Sequence, residues 1–510
     1  MSSRPQGPGG VTLACLLAAI HGRGIACELR GSPAVTVSGV SDDSRAIAGG
    51  ELFLARRGTV RDAHDFVADA VDRGAAAAMV ERYVDVAVPQ IRVREARRAA
   101  AILAEAVAGD PARQLHLTAV TGTNGKTTCS LLIRHILAAR GPSVAVGTLG
   151  VVGVDGEIES GTEGLTTPGA VELSGRMRKW VTAGVKTVTV EASSHALDQH
   201  RLDGVGVDVA VLTNLTRDHL DYHGSMECYR KAKARILFLM RRGGGVVVNG
   251  EDPAWSHLPA IDARLIVTRA EGRTAAGRPP WGSGALPDLV ARDVVLSGEG
   301  SRFRVGWGGD EAAVSLPLLG RFNVENALSA IGAALLADLT LEATAEALAE
   351  VPPVAGRLEV TVTDPVPVIL DYAHTPHALE QVLDTLRPLC PGRIILVFGA
   401  GGDRDPTKRA KMGSVAAAGA DVSIVTSDNP RTEDPEAIVD QILAGMRGSP
   451  CERITDRRAA IARALERAEP GDVVLLAGKG HERYQIIGTE RRAFDERAVV
   501  RELLGSGRAA

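Results

Sequence analysis

Residues 115–136 read LHLTAVTGTNGKTTCSLLIRHI, and that one stretch carries a strand, a loop and a helix in succession. The apolar run up to Val120 predicts a buried strand, TGTNGKTT a tight turn, and CSLLIRHI a helix with an apolar face. Gly122 and Gly125 let backbone N–H groups come close to phosphate oxygens, Lys126 can reach the terminal phosphates, and Thr127 can ligate Mg²⁺ at a positive helix N-terminus. Gly122, Thr123, Asn124, Gly125, Lys126, Thr127 and Thr128 are therefore the expected ATP cradle. The loop departs from the general GxxxxGK[ST] spacing, because Val120 stands where the first glycine would be. Motors, switches, kinases and ligases all use such loops, so the loop alone leaves the reaction open.

Outward from this loop the pattern is apolar β-rich runs alternating with Ala/Leu-rich stretches, the signature of an α/β chain with parallel sheets. GDPAR (109–113) and VPPVAG (351–356) break the pattern as linkers. The expected organisation is a disordered Pro/Gly/Ser-rich start at 1–10, a first domain at 11–112, a central P-loop domain at 113–352 and a C-terminal Rossmann-like domain at 353–510. LACLLAAI (13–20) is too short to span a bilayer and reads as a core helix. In the last third, VPVIL runs into Asp371, RIILVF into Gly399, DVSIVT into Ser427 and DVVLLA into Gly478. Open α/β sheets bind ligands where their strands end, so the chemistry is expected at those residues.

Composition narrows the function class. With 58 basic and 62 acidic side chains in 510 residues, the formal charge of −4 advertises neither nucleic acid nor an anionic membrane as a partner. The six cysteines show no paired spacing, which speaks against a disulfide framework or a zinc cluster and fits a cytoplasmic location.

Two further strand ends bring carboxylates toward the loop. GVKTVTV (184–190) delivers Glu191, and VDVAVL (207–212) runs into TNLTRDHLDYHG, which presents Asn214, Asp218, His219 and Asp221. A carboxylate after a buried strand beside a phosphate loop is well placed to hold Mg²⁺, and two such edges can hold two ions. The basic helix MECYRKAKARIL (226–237) reads, by charge alone, as a solvated face.

The series TGTNGKTT, LTTPGAVEL, EASSHALDQHR, TNLTRDHLDYHG, YRKAKARIL, GRFNVENALSA, GRLE, DYAHTPHAL, FGAGGDRDPTKR, SDNPR and GKGHE, in that order from about residue 38 to 500, resembles the Mur ligases. Within them it is most similar to the UDP-N-acetylmuramoyl-tripeptide synthetases. The resemblance implies a three-domain ATP-dependent ligase of peptidoglycan precursor synthesis, monomeric, with two Mg²⁺ ions. Its substrates would be UDP-MurNAc-L-Ala-D-Glu and meso-diaminopimelate. It implies a carbamylated Lys233 (N6-carboxylysine) as an anionic metal ligand, Glu191 and His219 at the second ion, Thr127 at the first, and Lys126 at the transferring phosphate. Asn326 would contact adenine, while Arg357, Asp371 and His374 would close over ATP.

For the nucleotide-linked substrate the resemblance implicates Asp42, Ser44, Thr59, Val60 and Arg61 at the uridine end, and Thr166, Thr167, Ser193, Gln199 and Arg201 around the peptidyl sugar. Position 165 is Leu, where some relatives carry an asparagine that touches substrate. For the amine it implicates Arg404, the run Asp428, Asn429, Pro430 and Arg431, and then Gly478 and Glu482. A guanidinium fork suits the distal carboxylate that distinguishes diaminopimelate from lysine. Ligation of L-lysine or of another amino acid by a specialised paralogue, a folylpolyglutamate synthetase, and a nucleotide-binding regulatory protein without catalysis remain the alternatives.

Overall fold

A computed structural model describes residues 10–58, 61–159, 165–281, 286–446 and 448–506. Thr59, Val60 and the first nine residues lie outside the described residues. The chain builds three main sheets, of five, eleven and six strands in sequence order.

The first sheet is flanked by the helix Leu13–His21, which buries Leu13, Leu16 and Ile20 at helical spacing, and by Ala96–Val107. In the central sheet the strand His116–Thr121 pairs in parallel with Thr187–Glu191 on one side and Val207–Leu212 on the other. Side-chain alternation gives these strands two cores: Val120, Val209 and Val211 pack toward the helix Arg321–Leu336, while Leu117, Ala119, Ala210 and Leu212 pack toward the helix Ala170–Thr182. The C-terminal sheet repeats the plan, with Val368–Asp371, Val473–Ala477, Ile394–Phe398 and Val422–Val425 adjacent and parallel.

Beyond its parallel centre the central sheet also carries antiparallel strands. Its far side is an antiparallel meander of Leu289–Ser297, Gly300–Trp307 and Asp310–Leu316, and its near side ends in the antiparallel strands Gly150–Val152 and Ile158–Glu159. The cause is local: Trp307 pairs with Asp310 across Gly308 and Gly309, both at positive φ, which makes a two-residue hairpin whose twist suits antiparallel strands.

Placement of the site follows from this topology. The P-loop, Glu191 and Thr213–Asn214 all follow carboxyl ends of neighbouring central strands, and Asp371, Gly399, Ser427 and Gly478 sit at the carboxyl edge of the C-terminal sheet. The first and central units are joined by Glu105, only 3% exposed, which accepts from Ala112 N at 2.7 Å and Ser174 Oγ at 2.8 Å. Glu105→Ala strands both donors. Loss of a buried acceptor costs about 1–3 kcal/mol, so a fall of several degrees in Tm is expected by calorimetry; an unchanged Tm would remove Glu105 from this role.

Candidate functional site

The loop between His116–Thr121 and the helix Lys126–Leu137 is held open from below by side chains of the next strand end. Asn124 N donates to Asn214 Oδ1 at 2.9 Å, Thr213 Oγ1 donates to Asn124 O at 2.7 Å, and Thr216 N donates to Thr123 Oγ1 at 2.9 Å. The glycines are required: a Cβ on Gly122 would lie 1.8 Å from Thr213 Oγ1, and one on Gly125, at φ +82°, would lie 2.3 Å from Asn326 Oδ1. Asn326 is buried, donates to Asn323 Oδ1 at 2.9 Å, and so walls the loop from the first turn of Arg321–Leu336.

Two ammonium groups converge on the loop. Lys126 Nζ donates to Gly122 O at 3.0 Å and Thr123 O at 2.8 Å, and Lys233 Nζ donates to the same Gly122 O at 2.6 Å. Lys233 is 1% exposed and lies 4.6 Å from the centre of the Tyr229 ring, whose hydroxyl contacts Thr123 Oγ1 at 3.2 Å. Burial, then the neighbouring Lys126 charge, holds Lys233 well below the usual lysine range. The reading of 226–237 as a solvated cationic face therefore fails for Lys233 but holds for Lys231, which is exposed and 3.3 Å from Glu227. Helical spacing turns only one of the two lysines inward.

Glu191 is buried and fixed by Thr148, whose N and Oγ1 each donate to it at 3.0 Å. His219 sits at φ 53° and packs edge-on against His195 with ring centres 4.8 Å apart; burial, opposed by Asp218, pushes its imidazole down to about 3. A neutral imidazole is the metal-binding form. Glu191, His219 and Thr127 offer the hard oxygen and imidazole donors that Mg²⁺ accepts. Among the described residues no three His, Cys, Asp or Glu side chains converge as a closed metal cage. Mg²⁺ ordinarily completes its octahedron with phosphate and water, so the donor set fits the ion.

The C-terminal sheet reaches over this edge. Arg357 Nη2 donates to Thr127 Oγ1 at 3.3 Å and its guanidinium stacks 4.5 Å from the Tyr372 ring centre. Asp371 accepts from Leu358 N at 2.8 Å and Ala373 N at 2.7 Å, which sets the turn carrying His374. His374 Nε2 and Lys408 Nζ each lie 4.0 Å from the Asp218 carboxylate, and Arg217 donates to Thr407 Oγ1 at 2.8 Å. Sequence reasoning left Arg217, Thr407 and Lys408 unassigned. TRDH and DPTKR carry the residues, but only the packing of two sheets brings them together.

A second cavity, of about 910 Å³, opens between the first and central units. Asp42, Ser44 and Arg61 line it from one side, Leu165, Gln199 and Arg201 from the other. Arg201 donates to Thr167 O at 2.7 Å and Gln199 Oε1 at 2.7 Å, and Thr167 Oγ1 donates to Glu191 O at 2.6 Å. Thr167 Oγ1 also lies 3.2 Å from Ser193 Oγ, while Thr148 Oγ1 lies 3.3 Å from Thr166 Oγ1. A continuous polar wall thus runs from the cavity to the P-loop edge. Arg45, Arg56, Arg57 and Arg97 also line the cavity and were not singled out by sequence. Leu165 faces it, so an apolar side chain interrupts the polar lining at this point.

A third constellation lies at the C-terminal sheet edge. Arg431, at φ 52°, donates to Gly402 O at 2.7 Å, and Arg404, exposed on the adjoining loop, stands on the same side of Gly401. Burial and Arg404 together hold the Arg431 guanidinium below its usual range. Asp428, Asn429 and Pro430 are buried beneath them, and a Cβ on Gly478 would come 2.6 Å from Asp428 Oδ2. Asn429 Nδ2 donates to Glu482 at 2.9 Å.

Comparison with known proteins gives the following. Residues 36–114 match the Mur ligase family, catalytic domain; 120–334 match the Mur ligase middle domain; and 356–480 match the Mur ligase, glutamate ligase domain. The chain is 44% identical to the UDP-N-acetylmuramoyl-L-alanyl-D-glutamate--2,6-diaminopimelate ligase of Geobacillus kaustophilus, over 90% of this chain and 93% of the relative. It is 43% identical to the protein of the same name from Gloeobacter violaceus, over 94% and 96%. Among solved structures, one titled UDP-N-acetylmuramoyl-L-alanyl-D-glutamate--2, 6-diaminopimelate ligase superposes with a TM-score of 0.66 at 32% identity, covering 98% of this chain and 99% of that one. The MurF ligase from Thermotoga maritima in complex with ADP shares the fold, with a TM-score of 0.61 at 19% identity, over 92% and 96%.

Gly125→Ala tests the loop. A non-glycine residue forced to this φ against Asn326 costs of order 1–3 kcal/mol, enough for roughly tenfold or more in affinity. Calorimetric titration with ADP should show that loss, together with a fall of a few degrees in Tm because the strain sits in the folded loop; wild-type affinity would mean that nucleotide does not depend on this turn.

Proposed function

The chain belongs to the Mur ligase family, a family of ATP-dependent ligases, and on that premise we propose that it joins meso-diaminopimelate to UDP-N-acetylmuramoyl-L-alanyl-D-glutamate in peptidoglycan precursor synthesis. The observation that carries the choice of amine is the Arg431–Arg404 pair above the Asp428–Asn429–Pro430 turn, in a chain whose relatives at over 40% identity bear that substrate in their names. Two guanidinium groups on one side of a loop suit a second carboxylate, which lysine lacks. We read the chain as three domains, 11–112, 113–352 and 353–510, acting as a monomer in the cytoplasm; among the described residues no helix is long and apolar enough to cross a membrane.

In this reading the uridine diphosphate lies in the basic cavity, with Asp42, Ser44 and Arg61 at its uridine end. The peptide runs along Thr166, Thr167, Ser193, Gln199 and Arg201 toward the P-loop edge. The D-glutamyl γ-carboxylate attacks the γ-phosphorus of ATP, whose phosphates rest on residues 122–128 and whose adenine meets Asn326; the bond from the γ-phosphorus to the β,γ-bridging oxygen breaks, ADP leaves and an acyl-phosphate remains. Lys126 offsets charge on the transferring group. Mg²⁺, held by Thr127 at one position and by Glu191, His219 and a carbamylated Lys233 at the other, would neutralise phosphate charge when bound.

Lys233 suits carbamylation. It is buried, has only a carbonyl as hydrogen-bond acceptor among the described residues, and gains two anionic oxygens by reaction with CO₂. Arg357, Asp371 and His374 keep water from the acyl-phosphate. The diaminopimelate amine then attacks the acyl carbon, a tetrahedral intermediate collapses, and phosphate leaves. Glu482, with Gly478, receives the distal ammonium, and Arg431 with Arg404 the distal carboxylate.

Two measurements decide between outcomes. ADP release with UDP-MurNAc-L-Ala-D-Glu across a panel of amino acids should depend on meso-diaminopimelate; equal stimulation by L-lysine would sink the choice of amine. Lys233→Ala should lose nearly all turnover and regain part of it with short-chain carboxylic acids, whereas undiminished turnover would refute a carbamate at that position.

A further inference from the structure

Lys479 follows the strand Val473–Ala477 and has no exposed surface, so no ligand can touch it. A buried ammonium must be paired, and its partners are informative. Lys479 Nζ donates to Asn429 Oδ1 at 3.2 Å and to Glu482 Oε2 at 3.1 Å. Ile486 N also donates to Asn429 Oδ1, at 2.9 Å, and Asn429 Nδ2 donates to the same Glu482 oxygen at 2.9 Å.

An amide group can be turned either way by exchanging oxygen and nitrogen. Here two donors face Oδ1 and a carboxylate faces Nδ2, so one orientation satisfies every partner and the other satisfies none. Glu482 is divided in the same manner. Its Oε2 takes two donors from inside the domain, while Oε1 has the Tyr484 hydroxyl at a long 3.5 Å.

We propose that Lys479 is a positioning residue for the amino-acid substrate. Its ammonium sets the Asn429 amide and ties down one oxygen of Glu482, which leaves the other oxygen to receive the distal ammonium of the incoming amine. This rests on the reading of residues 428–431 and 478–482 as the amino-acid pocket. Lys479 acts through Asn429 and Glu482, and its hydrogen bonds run to those two side chains and not to residues 122–128, so its effect is expected on amine binding rather than on nucleotide binding.

Lys479→Met keeps the volume and removes the donor. The expected result is a KM for meso-diaminopimelate raised at least about tenfold, as expected when charge-assisted hydrogen bonds to a recognition group are lost. The KM values for ATP and for the UDP-dipeptide should stay within about twofold. In a Glu482→Gln background the same substitution should have a much smaller effect, because its target is already altered. Lys479→Gln, which retains an N–H donor, should lie between wild type and Met, and it takes the place of Met if that variant does not fold. Unchanged KM for the amine, parallel increases for all three substrates, or full additivity with Glu482→Gln would overturn the proposal. Wild-type turnover with meso-diaminopimelate is measured alongside: if that amine does not stimulate wild type, the substrate reading has failed, and Lys479 is then tested with the amino acid that does.

Discussion

One carbonyl oxygen, that of Gly122, accepts from two ammonium groups, the half-buried Lys126 at 3.0 Å and the buried Lys233 at 2.6 Å. Two cations that share one carbonyl, with only the Thr123 carbonyl as a further acceptor of Lys126, are poorly compensated by backbone dipoles alone. In the proposed reading the loop is completed from outside, by polyphosphate at Lys126 and by carbamylation of Lys233. Its glycines, which leave no room for a Cβ, the Asn214 and Thr213 props and the Asn326 wall all serve to keep that carbonyl and the neighbouring N–H groups aimed at one place.

Around this centre the three sheets divide the labour. The central sheet supplies the phosphate cradle and Glu191 from adjacent parallel strands, whose register fixes their ends side by side. The first sheet closes a basic cavity against the central unit, with arginines contributed from both sides. The C-terminal sheet turns its own carboxyl edge toward the P-loop and touches it through Arg357 to Thr127, His374 and Lys408 to Asp218, and Arg217 to Thr407. In the proposed reading an acyl group activated at this edge meets the amine there rather than water, which is what separates a ligase from a nucleotide hydrolase.

Much of this was legible in the sequence because it is local. TGTNGKTT, the strands of the last third and the carboxylates at their ends are contiguous signals, and turn chemistry follows from residue type. What escaped needed tertiary contact. The burial of Lys233 could not be told from its charged neighbours by pattern alone, and the family resemblance, not the charge reading, pointed to it. Arg56, Arg57 and Arg97 look like ordinary surface arginines until two units bring them around one cavity. The antiparallel meander after residue 289 carries little local signal beyond the Gly308–Gly309 turn, and its pairing is a property of the folded sheet. Lys479 sits in a motif that was noticed, yet its lack of exposure is a property of the folded sheet edge.

The central claim is that ATP is spent on making an acyl-phosphate of the D-glutamyl γ-carboxylate. It is tested most directly by isotope transfer: UDP-MurNAc-L-Ala-D-Glu carrying oxygen-18 in that carboxylate is turned over with ATP and meso-diaminopimelate, and the released phosphate is examined by phosphorus NMR. The account predicts one heavy oxygen in each inorganic phosphate formed. Phosphate free of label, with the departing carboxylate oxygen carried on AMP or lost to water instead, would contradict it.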